Sequence, residues 1–134
     1  MLKKVIVGVI CVCVMTGVIF CGRYLYQTWK YKKIIADIVI EEPDLTALAD
    51  GVYNGSFDAI LVAADVSVQV EDKKITNITI NKHKNERGKK AEAITAEVLA
   101  AQSLKVDTIS GATNSSKVIL KAIDNALSDG TNEE

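Results

Sequence analysis

Val62-Ala63-Ala64-Asp65-Val66-Ser67-Val68-Gln69-Val70 is the stretch that decides the fold. Apolar side chains at the even positions alternate with small or polar ones at the odd positions, which is the period of a strand with one face on a core and the other in water. The polar turn Glu71-Asp72-Lys73-Lys74 follows, and Ile75 to Ile80 is rich in β-branched residues, so this segment pairs back as a hairpin. Upstream, Val52-Tyr53-Asn54-Gly55-Ser56-Phe57 reads as a further strand. Downstream, Asn81 to Lys90 reads as a polar loop, and Lys90 to Gln102 as a helix with Ala91, Ile94, Val98 and Ala101 on one face. Ser103 to Ile109 returns as an extended segment. Ser116 to Leu127 is a last helix, with Ile119, Leu120, Ile123 and Leu127 as its buried stripe. Ser128 to Glu134 is a polar, acidic and frayed tail. The body is therefore α+β, a small antiparallel sheet with two packed helices.

Before this body lies a different kind of sequence. Val5 to Cys21 is an uncharged run of 17 residues, which at about 1.5 Å per residue nearly spans a bilayer core of roughly 30 Å. Lys4 and Arg23 can snorkel, and Tyr24, Tyr26 and Trp29 suit the interface. No small-residue cleavage site follows the run, and bulky Phe20 precedes Cys21, which argues against a lipoprotein signal. The segment reads as an uncleaved transmembrane anchor. Residues 24–40 can continue as a helical stalk that Pro43 would end, and Asp44 can cap a short turn. The expected organisation is an anchor with basic flank over 1–33, a linker over 34–49, a folded domain over 50–128 and a tail over 129–134.

Charge follows the same division. Residues 1–33 carry +6 and the remainder −7, in agreement with the net −1. A basic head beside an apolar run and an acidic body point to the lipid bilayer as partner and not to nucleic acid. Cys11, Cys13 and Cys21 all lie in the apolar run, so the body has neither a disulfide framework nor a thiolate metal site. A lone His83 without Cys or clustered carboxylates makes no metal site, and no catalytic triad stands out. Arg87-Gly88-Lys89-Lys90 reads as a solvated turn that can also meet an anion.

One stretch concentrates polar chemistry: Asp107-Thr108-Ile109-Ser110-Gly111-Ala112-Thr113-Asn114-Ser115-Ser116. Hydroxyls and a glycine directly before a helix suit a phosphate, because the first turn presents free N–H groups and the positive end of the dipole. The same residues equally suit a plain capped helix start. Neither the GxxxxGK[ST] nor the GxGxxG pattern is present.

Asp107-x-x-Ser110-Gly111-Ala112-Thr113 resembles the flavinylation signature Asp-x-x-[Ser/Thr]-Gly-Ala-[Thr/Ser]. Asp50-Gly51-Val52-Tyr53-Asn54-Gly55, the alternating strand, the hairpin, the segment at His83 and Ala101-Gln102-Ser103-Leu104-Lys105-Val106-Asp107 follow in the same family's order. The chain from Asp50 to Leu127 is similar to the FMN-binding domain family, whose covalently flavinylated members occur in the sodium-translocating NADH:quinone oxidoreductase and in the Rnf complex. The resemblance implies that a separate flavin transferase, using FAD and Mg²⁺, attaches FMN to Thr113 as a phosphoester. It implies that Ser110, Gly111, Ala112, Asn114, Ser115 and Ser116 surround the phosphate. It further implies that Asp107 serves recognition or loop fixing and that His83 stands at the loop position that faces the flavin in the family. The family often carries a Tyr/Gly-rich loop after its first strand, where this chain has Asp58-Ala59-Ile60-Leu61-Val62-Ala63-Ala64.

The expected function is that of a membrane-anchored flavoprotein passing electrons between membrane redox partners, more an electron-transfer protein or subunit than a free-standing enzyme. A small FMN-dependent reductase, a non-covalent FMN-binding subunit and a non-redox interaction module are the alternatives. Counting basic residues on the two sides of the apolar run places the body in the cytoplasm. The resemblance implies a single-pass protein of the cell membrane with its domain outside the cytoplasm.

Overall fold

The computed structural model describes residues 1–85 and 88–131. It contains α1 (Leu2–Ala36), β1 (Gly51–Asp58), β2 (Ala63–Glu71), β3 (Lys74–Lys84), α2 (Ile94–Ala101) and α3 (Thr113–Thr131). Short 3₁₀ turns cover Leu45–Ala47 and Lys89–Ala93. The strands form an antiparallel sheet in the order β1-β2-β3. The α+β reading with a preceding long apolar helix therefore holds.

The alternation in β2 translates directly into two faces. Ala64, Val66, Val68 and Val70 are at most 3% exposed and point to the helices. The outer face is polar: Ser67 Oγ donates to Asn54 Oδ1 (2.6 Å), and Asn81 Nδ2 donates to Ser67 Oγ (2.8 Å). Register shifts after Asp65 and Gln69 keep the inward pairs aligned as Val66↔Ile80, Val68↔Ile78 and Val70↔Ile75. α3 lies across β1 and β2, burying Val118, Ile119, Leu120, Ala122, Ile123, Ala126 and Leu127. Gly55 permits this approach, since a Cβ there would meet Ala122 O at 2.3 Å and Ala126 N at 2.4 Å. Full burial of a Leu or Ile is worth about 1.5–3 kcal/mol, so this helix-on-sheet layer is the main source of stability.

Several expected boundaries move. Lys74 to Lys84 is one strand, so Asn81 to Lys84, expected in a loop, belong to β3. Arg87 of the basic turn lies outside the described residues. The helix expected from Lys90 begins as a 3₁₀ turn and becomes α-helical only at Ile94. Ala91, Ile94 and Val98 are buried as expected, but Ala101 is exposed, because the helix ends beside it at left-handed Gln102. Gln102 then clasps β3, accepting from Ile75 N (2.8 Å) and donating to Ile75 O (2.8 Å). α3 begins at Thr113, not Ser116, and runs through Ser128 to Thr131, so the expected frayed tail is helical that far; residues 132–134 lie outside the described residues.

α1 continues well past the apolar run, as the stalk reading expects, but stops at Ala36, before Pro43 could end it. Its end is set by packing. Ile35 is buried in the core, and Tyr31, Ile34, Ile38 and Ile40 pack against it. The following segment is clamped across the domain: Glu41 N donates to Asp124 Oδ2 (3.3 Å), and Glu42 accepts from Ser103 Oγ (2.8 Å). Asp44 caps the 3₁₀ turn, accepting from Thr46 Oγ1 (2.5 Å) and Thr46 N (3.0 Å), which holds its carboxyl below the usual range. The apolar half of α1 is bare; Val5, Ile10, Val14 and Phe20 are all exposed, and this helix is long and apolar enough to cross a membrane.

Candidate functional site

The stretch from Asp107 to Ser116 folds into a tight corner that starts α3. Ala112 N donates to Ile109 O (2.9 Å), and Gly111 takes the left-handed conformation at φ 75°. A side chain would be strained there, which accounts for the glycine. Ser116 locks the corner: its Oγ accepts from Ile109 N (3.0 Å) and donates to Ala112 O (2.8 Å). The helical ladder opens with Ser116 N to Ala112 O (2.9 Å), so the N–H groups of Thr113, Asn114 and Ser115 form a first turn without partners among the described residues. That turn contains no acidic residue. Its dipole is therefore available to an anion.

Thr113 is exposed at the mouth of a cleft of about 420 Å³, a size usual for small-molecule sites. The corner from Gly111 to Ser115 forms one side of the cleft; Leu61, Val62, Gly88 and Tyr31 of α1 complete it. Gly88 is needed for closeness, since a Cβ there would fall 1.9 Å from Ser115 Oγ and 2.6 Å from Ser115 Cβ. Lys90 reaches over the corner: a Cβ on Gly111 would lie 2.6 Å from its Nζ. An ammonium thus lies against Gly111, two residues before Thr113 at the start of the helix.

Of the expected site residues, the cleft brings together five, while Ser116, Ser110, Asp107 and His83 are not among its lining. Gly111, Ala112, Thr113, Asn114 and Ser115 line it together. Ser116 is fully buried, with its hydroxyl committed to the corner. Ser110 and Asp107 line a neighbouring shallow groove with Thr108, Lys105 and Glu97, and both are exposed there. His83 is in β3, opposite Ala64, with a side chain only 2% exposed. Its Nδ1 meets Glu92 Oε1 at 3.1 Å and Asn85 Nδ2 at 3.3 Å, and its Nε2 is buried with no partner among the described residues. The expectation of a loop histidine is corrected on this point: the ring is packed beneath the 3₁₀ turn that carries Glu92.

Lys90 was legible only as part of a basic turn, and its approach to Gly111 depends on how that turn folds. Gly88 lies in the same basic turn, and Leu61 and Val62 lie in the segment after the first strand that the family resemblance singles out, whereas Tyr31 carried no local signal, because it reaches the cleft from α1 through tertiary packing.

The residues fit a flavin held by its phosphate. Gly111 leaves room, Lys90 and the first turn of α3 supply positive potential, and Thr113 supplies an accessible hydroxyl. Comparison with protein families matches residues 63–128 to the FMN-binding domain. Comparison with curated proteins finds no match.

Proposed function

The chain belongs, through residues 63–128, to the FMN-binding domain family, and from that premise we propose that it is a membrane-anchored electron carrier whose FMN is joined to Thr113 through a phosphoester. The observation that carries this reading is exposed Thr113 on the first turn of α3, lining the cleft, with Lys90 against the left-handed Gly111 two residues before it. In the loading step Thr113 Oγ gives up its proton to a base of a flavin transferase and forms a P–O bond to the FMN phosphorus of FAD. The bond between that phosphorus and the bridging oxygen breaks, and AMP leaves; nothing is oxidised or reduced. Exposed Asp107 and Ser110, in the adjoining groove, are placed for the transferase to read.

Bound FMN supplies electron transfer through its ring system. The chain's own residues attach it, hold its phosphate and fix its distance from the membrane. Tyr31 lies ten residues beyond Cys21 on the same helix, about 15 Å along its axis. A cleft held that close to the bilayer suits membrane redox partners. The domain stands on the outer side, where a covalent bond prevents loss of the cofactor; a protease added to intact cells then trims the domain, and a domain trimmed only after lysis overturns that orientation.

Flavin fluorescence on a denaturing gel tests the attachment. A fluorescent band is expected for the full chain coexpressed with a flavin transferase and none for Thr113→Ala. A dark wild-type band, or a fluorescent Thr113→Ala band, refutes it.

A further inference from the structure

We infer that the membrane helix itself supplies a wall of the flavin cleft, with Tyr31 as the aromatic surface against which the ring system rests; this builds on the Thr113 attachment. Three observations carry it. Tyr31 is the aromatic residue among those lining the cleft, and it shares that lining with the whole corner from Gly111 to Ser115. The segment after β1 contributes Leu61 and Val62 to the cleft but no aromatic ring, although flat ring systems are held best by offset-stacked or edge-on aromatic neighbours. Finally, Tyr31 is held in place rather than waving in solvent.

The face of α1 that meets the domain fixes Tyr31. Gln27, Lys30, Tyr31, Ile34 and Ile35 recur at helical spacing. Gln27 and Lys30 border a groove against Ile60, Tyr31 and Ile34 pack on the core, and Ile35 is buried within it. The loop opposite is equally fixed. Ala59 N donates to Val62 O (2.8 Å), and Lys84 Nζ donates to Ile60 O (2.7 Å). By contrast Tyr24 and Trp29, which line no groove against the domain, are 54% and 62% exposed, as befits side chains at a lipid interface. One helix therefore both anchors the protein and completes the site.

The test uses the full chain in detergent, coexpressed with a flavin transferase, as wild type, Tyr31→Phe, Tyr31→Ala and, as control, Tyr24→Ala. Intact mass first reads flavin incorporation: a wild type without flavin defeats the attachment reading, which the emission comparison then cannot rescue. Emission of the loaded proteins is compared native and after denaturation. A tyrosine against the ring quenches emission by donating an electron, which phenylalanine does not. Stacking of this kind biases the ring onto the wall by about two- to tenfold, so native emission rises by about twofold or more in Tyr31→Phe and Tyr31→Ala and is unchanged in Tyr24→Ala. All four emit equally per flavin once denatured. Tyr31→Phe keeps the packing, so the comparison stands even where Tyr31→Ala fails to fold. Native emission of loaded Tyr31→Phe equal to wild type, or an equal rise in Tyr24→Ala, overturns the inference.

Discussion

Adding one methyl at Gly88 tests the geometry of the cleft quantitatively. Its φ of −98° and ψ of 13° are open to alanine, so the backbone alone would not object. Indeed, fewer unfolded conformations would favour Gly88→Ala by about 0.4–1 kcal/mol. Contact opposes this: the new Cβ would lie 1.9 Å from Ser115 Oγ and 2.6 Å from Ser115 Cβ. A rotamer change can remove the first clash but not the second, because Ser115 Cβ is fixed by the backbone of α3. Overpacking of this kind costs about 1–3 kcal/mol, so the clash wins and Gly88→Ala is destabilising by about 1–2 kcal/mol. For a domain of this size each kcal/mol lowers the melting temperature by roughly 4–8 °C. The decisive assay is the same substitution in three backgrounds, followed by thermal unfolding of the flavin-free Thr113→Ala protein. With Ser115 present the full cost appears. With Ser115→Ala only the oxygen clash is gone, and the cost is intermediate. With Ser115→Gly both contacts vanish, and Gly88→Ala becomes neutral or stabilising, a coupling of about 1–3 kcal/mol. Equal cost in all three backgrounds would refute the packing of Gly88 on Ser115.

Lys90→Glu replaces the ammonium above Gly111 with a like charge for a phosphate, so loading by the transferase slows by about tenfold or more while Lys90→Arg loads near the wild-type rate; a time course of flavin incorporation reads this, and normal loading of Lys90→Glu contradicts it. Asp124 is 2% exposed and accepts from Lys121 Nζ (2.7 Å), Ser128 Oγ (3.0 Å) and Glu41 N (3.3 Å). Asp124→Ala withdraws that acceptor and costs about 3 kcal/mol, seen in the melting temperature; a loss below about 1 kcal/mol would mean that the buried carboxylate is not fastening the 37–48 segment to α3.

The sequence was most legible where burial is periodic. The valine alternation of β2 and the Ile119-Leu120-Ile123-Leu127 stripe of α3 report directly which face meets the core, because one side of each element must leave water. It was least legible where an element's end is decided by a distant partner. β3 outruns its β-branched stretch because β2 offers pairing partners as far as Ala63. α1 stops before Pro43 because its last turns dock on the core. α3 starts at Thr113 because Ser116 bridges Ile109 and Ala112, a bond that composition cannot reveal. The site divides in the same way. Its corner is contiguous in sequence and readable there, whereas Tyr31, Gly88 and Lys90 reach it from α1 and from the segment after β3. Buried Asp124 likewise reads in sequence as an ordinary polar helix position.

Intact mass of the full chain expressed with a flavin transferase, with peptide mapping of the modified residue, tests the central claim most directly. A shift of one FMN unit joined with loss of water is expected, mapped to Thr113, retained in Ser115→Ala and absent in Thr113→Ala. An unshifted wild type, or a shift that maps elsewhere and survives Thr113→Ala, would contradict it.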